Sequence, residues 1–412
     1  MNNICVRDDY GELKKVMVFR PGPEVESCLP GPLSLDPAHV GKWYWPPEAV
    51  QKDFDAFVDL MRAFGAEVFD VRQLLAEILA VDTETILQET LGVKFSAYAD
   101  CGVPANPRNI VEDLICGVPR SFSDRRIIGP LQYASWLRDY ATVIGDSVFL
   151  WPIIVRRRPA GRIIRAIVRH HPLFSGVRVF DFLESDLKIE GGDVVALSGE
   201  AVAIGVGLRT DLESAKAVAK AMIDSGVIRV AYIVEVPQLY EVIHLDQVFA
   251  SIGPQAVLAM PYVFDEPEPY EPLVQQIAKW LDVQENNLPF GLKGHTVWIA
   301  QGLRFLRGEG FLRELCQDGF VKDVVWIGGE AIRIPSTEHF RIACVEAARQ
   351  AANVFCLSPF HVVSYAEAAP RTINAVLQYM KEKGGSCKTF VGPWLIQGKG
   401  GSHCLTMPLE RT

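Results

Sequence analysis

Cys404 stands near the end of the chain behind a glycine-rich stretch, in "GKGGSHCLTMPLERT". Three other short segments gather ionisable residues. Asp139 follows Arg138 in "WLRDYATVIGD", Glu190 and Asp193 flank two glycines in "IEGGDVVAL", and His244 and Asp246 lie two apart in "VIHLDQVF". Each alone has an ordinary explanation: a tight turn, a hydrogen-bonded core histidine, a solvated ion pair, an inert buried thiol. Together they suit one chemistry. Carboxylates from Asp139, Glu190 and Asp246 make a pocket that wants a cation, and paired carboxylates match the planar N–H fork of a guanidinium. The central carbon of that group is electrophilic once both flanks are hydrogen-bonded, and a cysteine thiolate is able to attack it. Nearby carboxylates raise a thiol's pKa, whereas the bound cation and an adjacent imidazolium lower it. His244 can then protonate the departing amine and later deprotonate a water. In a strand, residues two apart share a face, which would point His244 and Asp246 the same way. The rival reading is a metal hydrolase. The chain has no HExxH, no CxxC and no His-rich spacing that would close a ligand set, so neither a metal nor another cofactor is expected.

These residues need a scaffold, and 412 residues with 49% hydrophobic and 22% charged side chains can bury a sizeable core. A net charge of −9 argues against nucleic acid or an anionic membrane as the main partner. The opening "MNNICVRDDYGELKKVMVF" carries charges throughout and does not read as a signal peptide. No stretch approaches the roughly 20 apolar residues of a membrane-spanning helix. Nine scattered cysteines read as reduced thiols in a cytoplasmic protein.

Along the chain, "KKVMVFRPG" predicts a short strand, and "PPEAVQKDFDAFVDLMRAFGAEV" a helix stopped at Gly65. Residues 71–128 begin with the helical pattern "VRQLLAEILAVDTETILQETL", with no strong strand before Ile127, and read as a helical insertion. Hairpins follow in "TVIGDSVFLWP", turning at Gly145-Asp146, and in "GGDVVALSGEAVAIGVGLRT", turning near Gly199; "HTVWIAQGLR" and "CLTMPLER" look like halves of others. Helices are predicted for "TDLESAKAVAKAMIDSG" with Thr210 as N-cap, "PLVQQIAKWLDV", "STEHFRIACVEAARQAANVF" and "PRTINAVLQYMKEKGG". Strand pairs each followed by a helix suggest one repeating unit. No low-complexity linker divides the chain, so residues 1–412 are read as a single catalytic α/β domain with an insertion at 71–128.

The order Asp, Glu-Gly-Gly-Asp, His-x-Asp and a glycine-loop Cys resembles the guanidino-group-modifying enzymes, and within them arginine deiminase, over most of the chain. "YGELKKVMVFRPG" resembles the family's opening strand, and 71–128 falls where arginine deiminases carry a helical insertion that related amidinotransferases and dimethylarginine hydrolases lack. The resemblance implies a five-bladed pseudo-symmetric α/β propeller (the pentein fold) of ββαβ units. It implies Cys404 as nucleophile, His244 as general acid and base, Asp139 and Asp246 as holders of the guanidinium, and Glu190 as their support. Arg209, in "GVGLRT", and one arginine of "RRRPAGR" would bind the substrate's α-carboxylate; Arg158 is the first choice, with Arg156 and Arg157 as alternatives. The backbone of Gly398 would contact substrate.

The substrate side departs from the family pattern. The usual Phe-Thr-Arg-Asp-Pro reads Trp136-Leu137-Arg138-Asp139-Tyr140, the family asparagine falls at Tyr133, and the arginine five residues before the cysteine is Lys399. His403 precedes Cys404, in the style of amidinotransferases and agmatine deiminases. The implied reaction is hydrolysis of arginine, or a close arginine derivative, to a citrulline-like product and ammonia through a covalent thiouronium. Transfer of the amidino group to an acceptor amine is the alternative. The expected partners are a small guanidino molecule and, in a homo-oligomer, further copies of the chain, with no nucleic acid and no membrane.

Overall fold

The computed structural model describes residues 4–27, 46–92, 106–117, 119–120, 123–126, 130–236, 242–264, 298–300, 303–306, 309–334, 336–366 and 369–412. It is a mixed α/β structure of small sheets and helices. Among the described residues one motif recurs five times: an antiparallel strand pair, a helix, and a third strand parallel to the second. A parallel neighbour cannot be reached by a tight turn, so a helix must carry the chain back. The first unit pairs Ala141–Ile144 with Ser147–Leu150 and returns through the helix Arg158–His170 to Arg178–Asp181. The second pairs Val194–Ser198 with Ala201–Val206 and returns through Leu212–Asp224 to Val230–Glu235. The third pairs Phe249–Gly253 with Ala256–Ala259 and ends, after the helix Glu309–Gln317, at Asp323–Trp326. The fourth pairs Phe355–Ser358 with His361–Tyr365 and returns through Pro370–Glu382 to Ser386–Phe390. The fifth joins the two ends of the chain: Thr406–Arg411 pairs with Leu13–Val18, and the helix Pro47–Ala63 leads to Glu67–Asp70.

Both predicted glycine-turn hairpins form, and Gly145 adopts a φ of 59° at the first of them. The hairpin Trp298–Ala300/Leu303–Leu306 extends the second unit's sheet. "CLTMPLER" supplies a strand whose partner lies at the other end of the sequence. The helix Pro47–Ala63 starts on a proline, buries Phe54, Phe57, Val58 and Met61, and stops before Gly65 at a φ of 101°. The helix Leu212–Asp224 is capped by Asp211, which accepts from Ser214 N–H at 2.8 Å, and not by Thr210. Thr210 turns instead to the buried Asp193. The helix predicted for 272–283 lies outside the described residues, as does Ile127.

The segment 71–128 contains the helices Val71–Val81, Thr83–Leu91 and Pro107–Cys116, and a short hairpin, Pro119–Arg120 with Ser123–Arg126. It leaves the chain between the fifth unit's last strand and the first unit's first strand. Leu74, Leu75, Ile78, Ile110 and Leu114 pack in the same apolar cluster as Ile163, Ile164 and Ile167 of the first unit's helix. Those helices therefore share a core with the repeat rather than owning one. No helix among the described residues is long and apolar enough to cross a membrane.

Trp151 stands between the first two units. It is fully buried, stacks with Phe149 at 5.6 Å and Phe182 at 6.3 Å, and donates its indole N–H to Thr142 Oγ1 at 3.2 Å. Its Nε1 also fills the place that a side chain on Gly191 would need, 2.6 Å from an added Cβ. Trp151→Ala is expected to cost about 3–5 kcal/mol of unfolding free energy in urea denaturation, through the lost burial and the cavity left behind.

Candidate active site

Each unit delivers polar residues from the stretch just ahead of its first strand: Asp139, Glu190 with Asp193, His244 with Asp246, Asn353, and Cys404. Contacts then run from unit to unit in a closed circuit. Glu190 Oε2 accepts from His244 Nε2 at 3.0 Å, and the Asp246 carbonyl accepts from Asn353 Nδ2 at 3.2 Å. Asn353 contacts Cys404 twice, the Cys404 carbonyl accepts from Arg138 N–H at 3.1 Å, and Arg157 joins Asp139 to Glu190. All five core residues expected from the sequence are thus brought together.

His244 and Asp246 do not share a strand. Leu245–Gln247 is a single 3-10 turn with the extended His244 at its start. The turn is braced by Asp193, whose Oδ1 accepts from Leu245 N–H at 2.9 Å, and by Gln247, whose Oε1 accepts from Ile243 N–H at 2.7 Å. The two glycines of the Glu-Gly-Gly-Asp turn are sterically required. A Cβ on Gly191 would stand 2.1 Å from the Arg138 carbonyl, and one on Gly192 would stand 2.5 Å from His244 Nδ1.

The two carboxylates expected to grip a guanidinium are held alike. Asp139 Oδ2 accepts from Arg157 Nη1 at 2.9 Å, and Asp246 Oδ2 accepts from His403 Nδ1 at 2.9 Å. Asp139 Oδ1 and Asp246 Oδ1 are buried and have no hydrogen-bond partner in the protein among the described residues. His244 Nδ1 lies 3.6 Å from Asp139 Oδ1. Leaving a buried acceptor unsatisfied costs about 1–3 kcal/mol, and two such oxygens lie in this one polar cluster.

Cys404 is 4% exposed. Asn353 Oδ1 accepts from its N–H at 3.0 Å, Asn353 Nδ2 lies 3.1 Å from its Sγ, and the thiol faces Asp246 Oδ2 at 3.5 Å. Burial, with the charges of Asp246 and Asp139, holds the thiol well above the ordinary cysteine value. His244 is moved the other way. Burial alone would lower it, but Asp139, the hydrogen bond to Glu190 and the charge of Asp193 raise it to about 10. Glu190, whose burial is outweighed by His244 and Arg157, falls to about 2. Burial lifts Asp193 to about 7 against the pull of His244 and its hydrogen bonds. At neutral pH the site therefore holds an imidazolium beside a protonated thiol.

Among the described residues, Asp139, Glu190 and His244 bring ligand atoms within 4.8 Å of one another, a spacing that suits a divalent cation. A protonated His244 has no lone pair to give a metal, and Arg157 already sets a positive charge against both carboxylates.

The substrate-side residues are less uniform. Arg209 Nη1 approaches Glu190 Oε1 at 3.9 Å, and its buried Nε has no hydrogen bond. Arg158 points elsewhere, to the carbonyls of Ile153 at 3.4 Å and Ser185 at 3.3 Å and to Glu184 at 3.8 Å. Of the three adjacent arginines it is Arg157 that enters the cluster, while Arg156 lies over the Tyr133 ring at 5.8 Å. The Tyr133 carbonyl accepts from Arg157 Nη2 at 3.1 Å. Trp136 is buried against Gly400, where an added Cβ would stand 2.3 Å from its ring, and Gly401 is filled in the same way by Asn353 at 2.4 Å. Those glycines admit protein side chains. Gly398 ends the short helix Pro393–Gln397 in a right-handed conformation, and the left-handed position falls on Lys399 at a φ of 64°. The Lys399 carbonyl accepts from Gln247 Nε2 at 3.4 Å. Sequence reading missed Asn353. Its signal was positional: like Asp139 and Cys404, it stands two residues before the first strand of its unit.

A family model described as arginine deiminase matches residues 122–411. The arginine deiminase of Listeria welshimeri serovar 6b is 26% identical over 439 residues, covering 98% of this chain and 98% of that protein. The arginine deiminase of Oenococcus oeni is 24% identical over 446 residues, covering 99% and 97%. Among solved structures, an amidinotransferase from Microseira wollei in the saxitoxin biosynthetic pathway superposes with a TM-score of 0.54 at 16% identity, covering 99% of this chain and 97% of that one. DDAH from Pseudomonas aeruginosa, complexed with citrulline, superposes with a TM-score of 0.52 at 12% identity, covering 96% and 99%. These two share the fold.

The raised pKa of His244 has a measurable consequence. Nitrogen-15 NMR of the His244 ring is expected to show an imidazolium at pH 8 and a titration near pH 10, with a lower value in Glu190→Gln. Because the folded value lies above the ordinary 6.5, the stability it contributes is complete below pH 6.5 and is lost as pH rises through about 10.

Proposed function

The chain belongs to the arginine deiminase family, hydrolases acting on carbon–nitrogen bonds of linear amidines, and from that premise we propose that it hydrolyses the guanidinium group of arginine, or of a close arginine derivative, to a ureido product and ammonia. The observation that carries the reading is the pair of buried, unbonded carboxylate oxygens, Asp139 Oδ1 and Asp246 Oδ1, in one cluster with Cys404 and His244. A guanidinium presents paired N–H donors in a plane and a positive charge, which supplies what both oxygens lack.

The chemistry follows from the charge balance. Burial, with the charges of Asp246 and Asp139, keeps the Cys404 thiol protonated; a bound guanidinium offsets both charges and makes the thiolate accessible. With the cation bound the thiol gives its proton up to solvent, and the sulfur attacks the guanidinium carbon. His244, charged at neutral pH, gives a proton to the departing nitrogen, which leaves as ammonia. The product of this step is a thiouronium on Cys404. Neutral His244 then takes one proton from water as its oxygen attacks the same carbon; the carbon–sulfur bond breaks, the remaining hydroxyl proton passes to solvent, where ammonia takes it up, and Cys404 leaves the ureido product as thiolate. Over both steps, one water is consumed and one ammonia released per substrate. Glu190, bonded to His244 at 3.0 Å, fixes the ring and favours its charged form.

We also read the five strand units as blades of a five-bladed propeller spanning residues 1–412, with 71–128 as a helical insertion between two blades. Its support is the repeated connectivity together with the closed circuit of contacts at the loops.

Incubation with arginine alone should yield citrulline and ammonia in equal amounts. Ornithine formed only after an acceptor amine is added would overturn hydrolysis in favour of amidino transfer. Cys404→Ala is expected to lower kcat by a factor on the order of 10,000 or more while calorimetric binding of arginine survives; measurable turnover in that variant would rule out the covalent route. With His244 as the acid, kcat/KM should fall with a single-proton slope as pH rises through about 10.

A further inference from the structure

Arg157 is more heavily engaged than any other arginine of the cluster, and the reaction outlined above gives it no task. Its Nη1 lies 2.9 Å from Asp139 Oδ2 and 3.8 Å from Glu190 Oε2. Its Nε donates to Tyr140 Oη at 3.0 Å, and its Nη2 donates to the Tyr133 carbonyl at 3.1 Å. The guanidinium stacks over the Tyr140 ring at 4.7 Å, and the residue is only 8% exposed. Tyr140 is itself buried, and its hydroxyl donates to the Tyr133 carbonyl at 3.2 Å. We propose that Arg157, locked by Tyr140, is a positioning residue that presents Asp139 Oδ1 to the substrate guanidinium, and that it does not read the far end of the substrate. The inference rests on the proposed reaction and extends it to specificity.

A carboxylate can turn either oxygen toward a ligand. With Oδ2 tied to a planar fork that is itself fixed at three further points, only Oδ1 of Asp139, 3.6 Å from His244 Nδ1, remains without a hydrogen bond among the described residues. Burial pushes the Asp139 carboxyl up, and the same cation pulls both it and Glu190 back down. Taking Arg157 away to bind a substrate carboxylate would break a buried ion pair with two carboxylates, an unfavourable exchange. Arg158 is committed to Glu184 and two backbone carbonyls, and Arg156 stays over the Tyr133 ring. Among the described arginines of the cluster, Arg138 and Arg209 keep unbonded buried N–H groups; Arg138 is paired with Asp9 at 3.4 Å, which leaves Arg209 Nε to offer a carboxylate. The site should accordingly depend less on the α-carboxylate than a reader built from two arginines would.

The test compares arginine with agmatine, which is arginine without that carboxylate. Arg157→Gln is expected to lower kcat on both compounds by about 100-fold, as for a misplaced reacting group, and to leave their KM ratio unchanged within about twofold. Tyr140→Phe, which keeps ring and shape, should show a weaker form of the same pattern, and Arg157→Lys should recover only part of the loss. A rise in KM confined to arginine, with kcat retained, would overturn the proposal. Carbon-13 NMR of the carboxyls gives a readout independent of turnover: Asp139 and Glu190 should titrate about 1–3 pH units higher in Arg157→Gln. If the wild type converts neither compound, the proposed reaction fails, and the carboxyl titrations still decide whether Arg157 holds Asp139. Unchanged titrations there, or in Tyr140→Phe if Arg157→Gln does not fold, would sink the positioning role.

Discussion

Asp139, Glu190, Asp193 and Asp246 are each 3% exposed or less and belong to one electrostatic cluster. Carboxylates removed from water repel one another and lose hydration, so each must be matched by a cation, a donor or a proton. Every distinctive feature of the site answers that demand. His244 is charged because Asp139, Glu190 and Asp193 surround it; Arg157 stands between Asp139 and Glu190; His403 and Arg138 meet Asp246 and Asp9. Asp193 answers it by hydrogen bonds and a raised affinity for a proton. The matching by hydrogen bonds is incomplete at Asp139 Oδ1 and Asp246 Oδ1 among the described residues, and on the proposed function a substrate cation completes it.

The same demand explains why the thiol and the imidazole depart from their ordinary values in the same direction. Burial first and then negative charge raise the thiol, and negative charge raises the imidazole against its burial. A histidine so raised is an acid at neutral pH, and a cysteine so raised is dormant. On the proposed function, a ligand that brings positive charge would lower the thiol's proton affinity without discharging the histidine.

The repeat supplies the geometry. Each unit begins its first strand from a loop, and the loops of five units contribute Asp139, Glu190, His244 with Asp246, Asn353 and Cys404. The strand that follows Cys404 pairs with Leu13–Val18, so the last unit needs both ends of the chain. Core burial anchors these loops from behind. Trp151 fills the space over Gly191, Trp136 packs on Gly400, and Tyr365 donates its hydroxyl to the Gly400 carbonyl at 2.8 Å. The loop around Cys404 is tied down on several sides, through Asn353, Tyr365 and Gln247.

Much of this was legible in the chain. Hairpins turning at Gly145 and near Gly199, the helix stopped at Gly65, and the residues Asp139, Glu190, His244, Asp246 and Cys404 follow from local pattern and residue chemistry, because turn geometry, helical periodicity and reactivity are properties of short segments. Three things were not legible. Asn353 carries no reactive group, and only its position ahead of a strand links it to the others. Choosing Arg157 over Arg158 depends on which of two adjacent side chains the backbone turns inward at the start of the helix Arg158–His170, and adjacent residues there point in different directions. The space against Gly400 and Gly401 belongs to Trp136 and Asn353, residues distant in sequence. The sequence by itself determined which groups could react. Tertiary structure decided which cation meets which carboxylate, and so which two oxygens remain unpaired, because burial and charge pairing exist only once separate units are packed together.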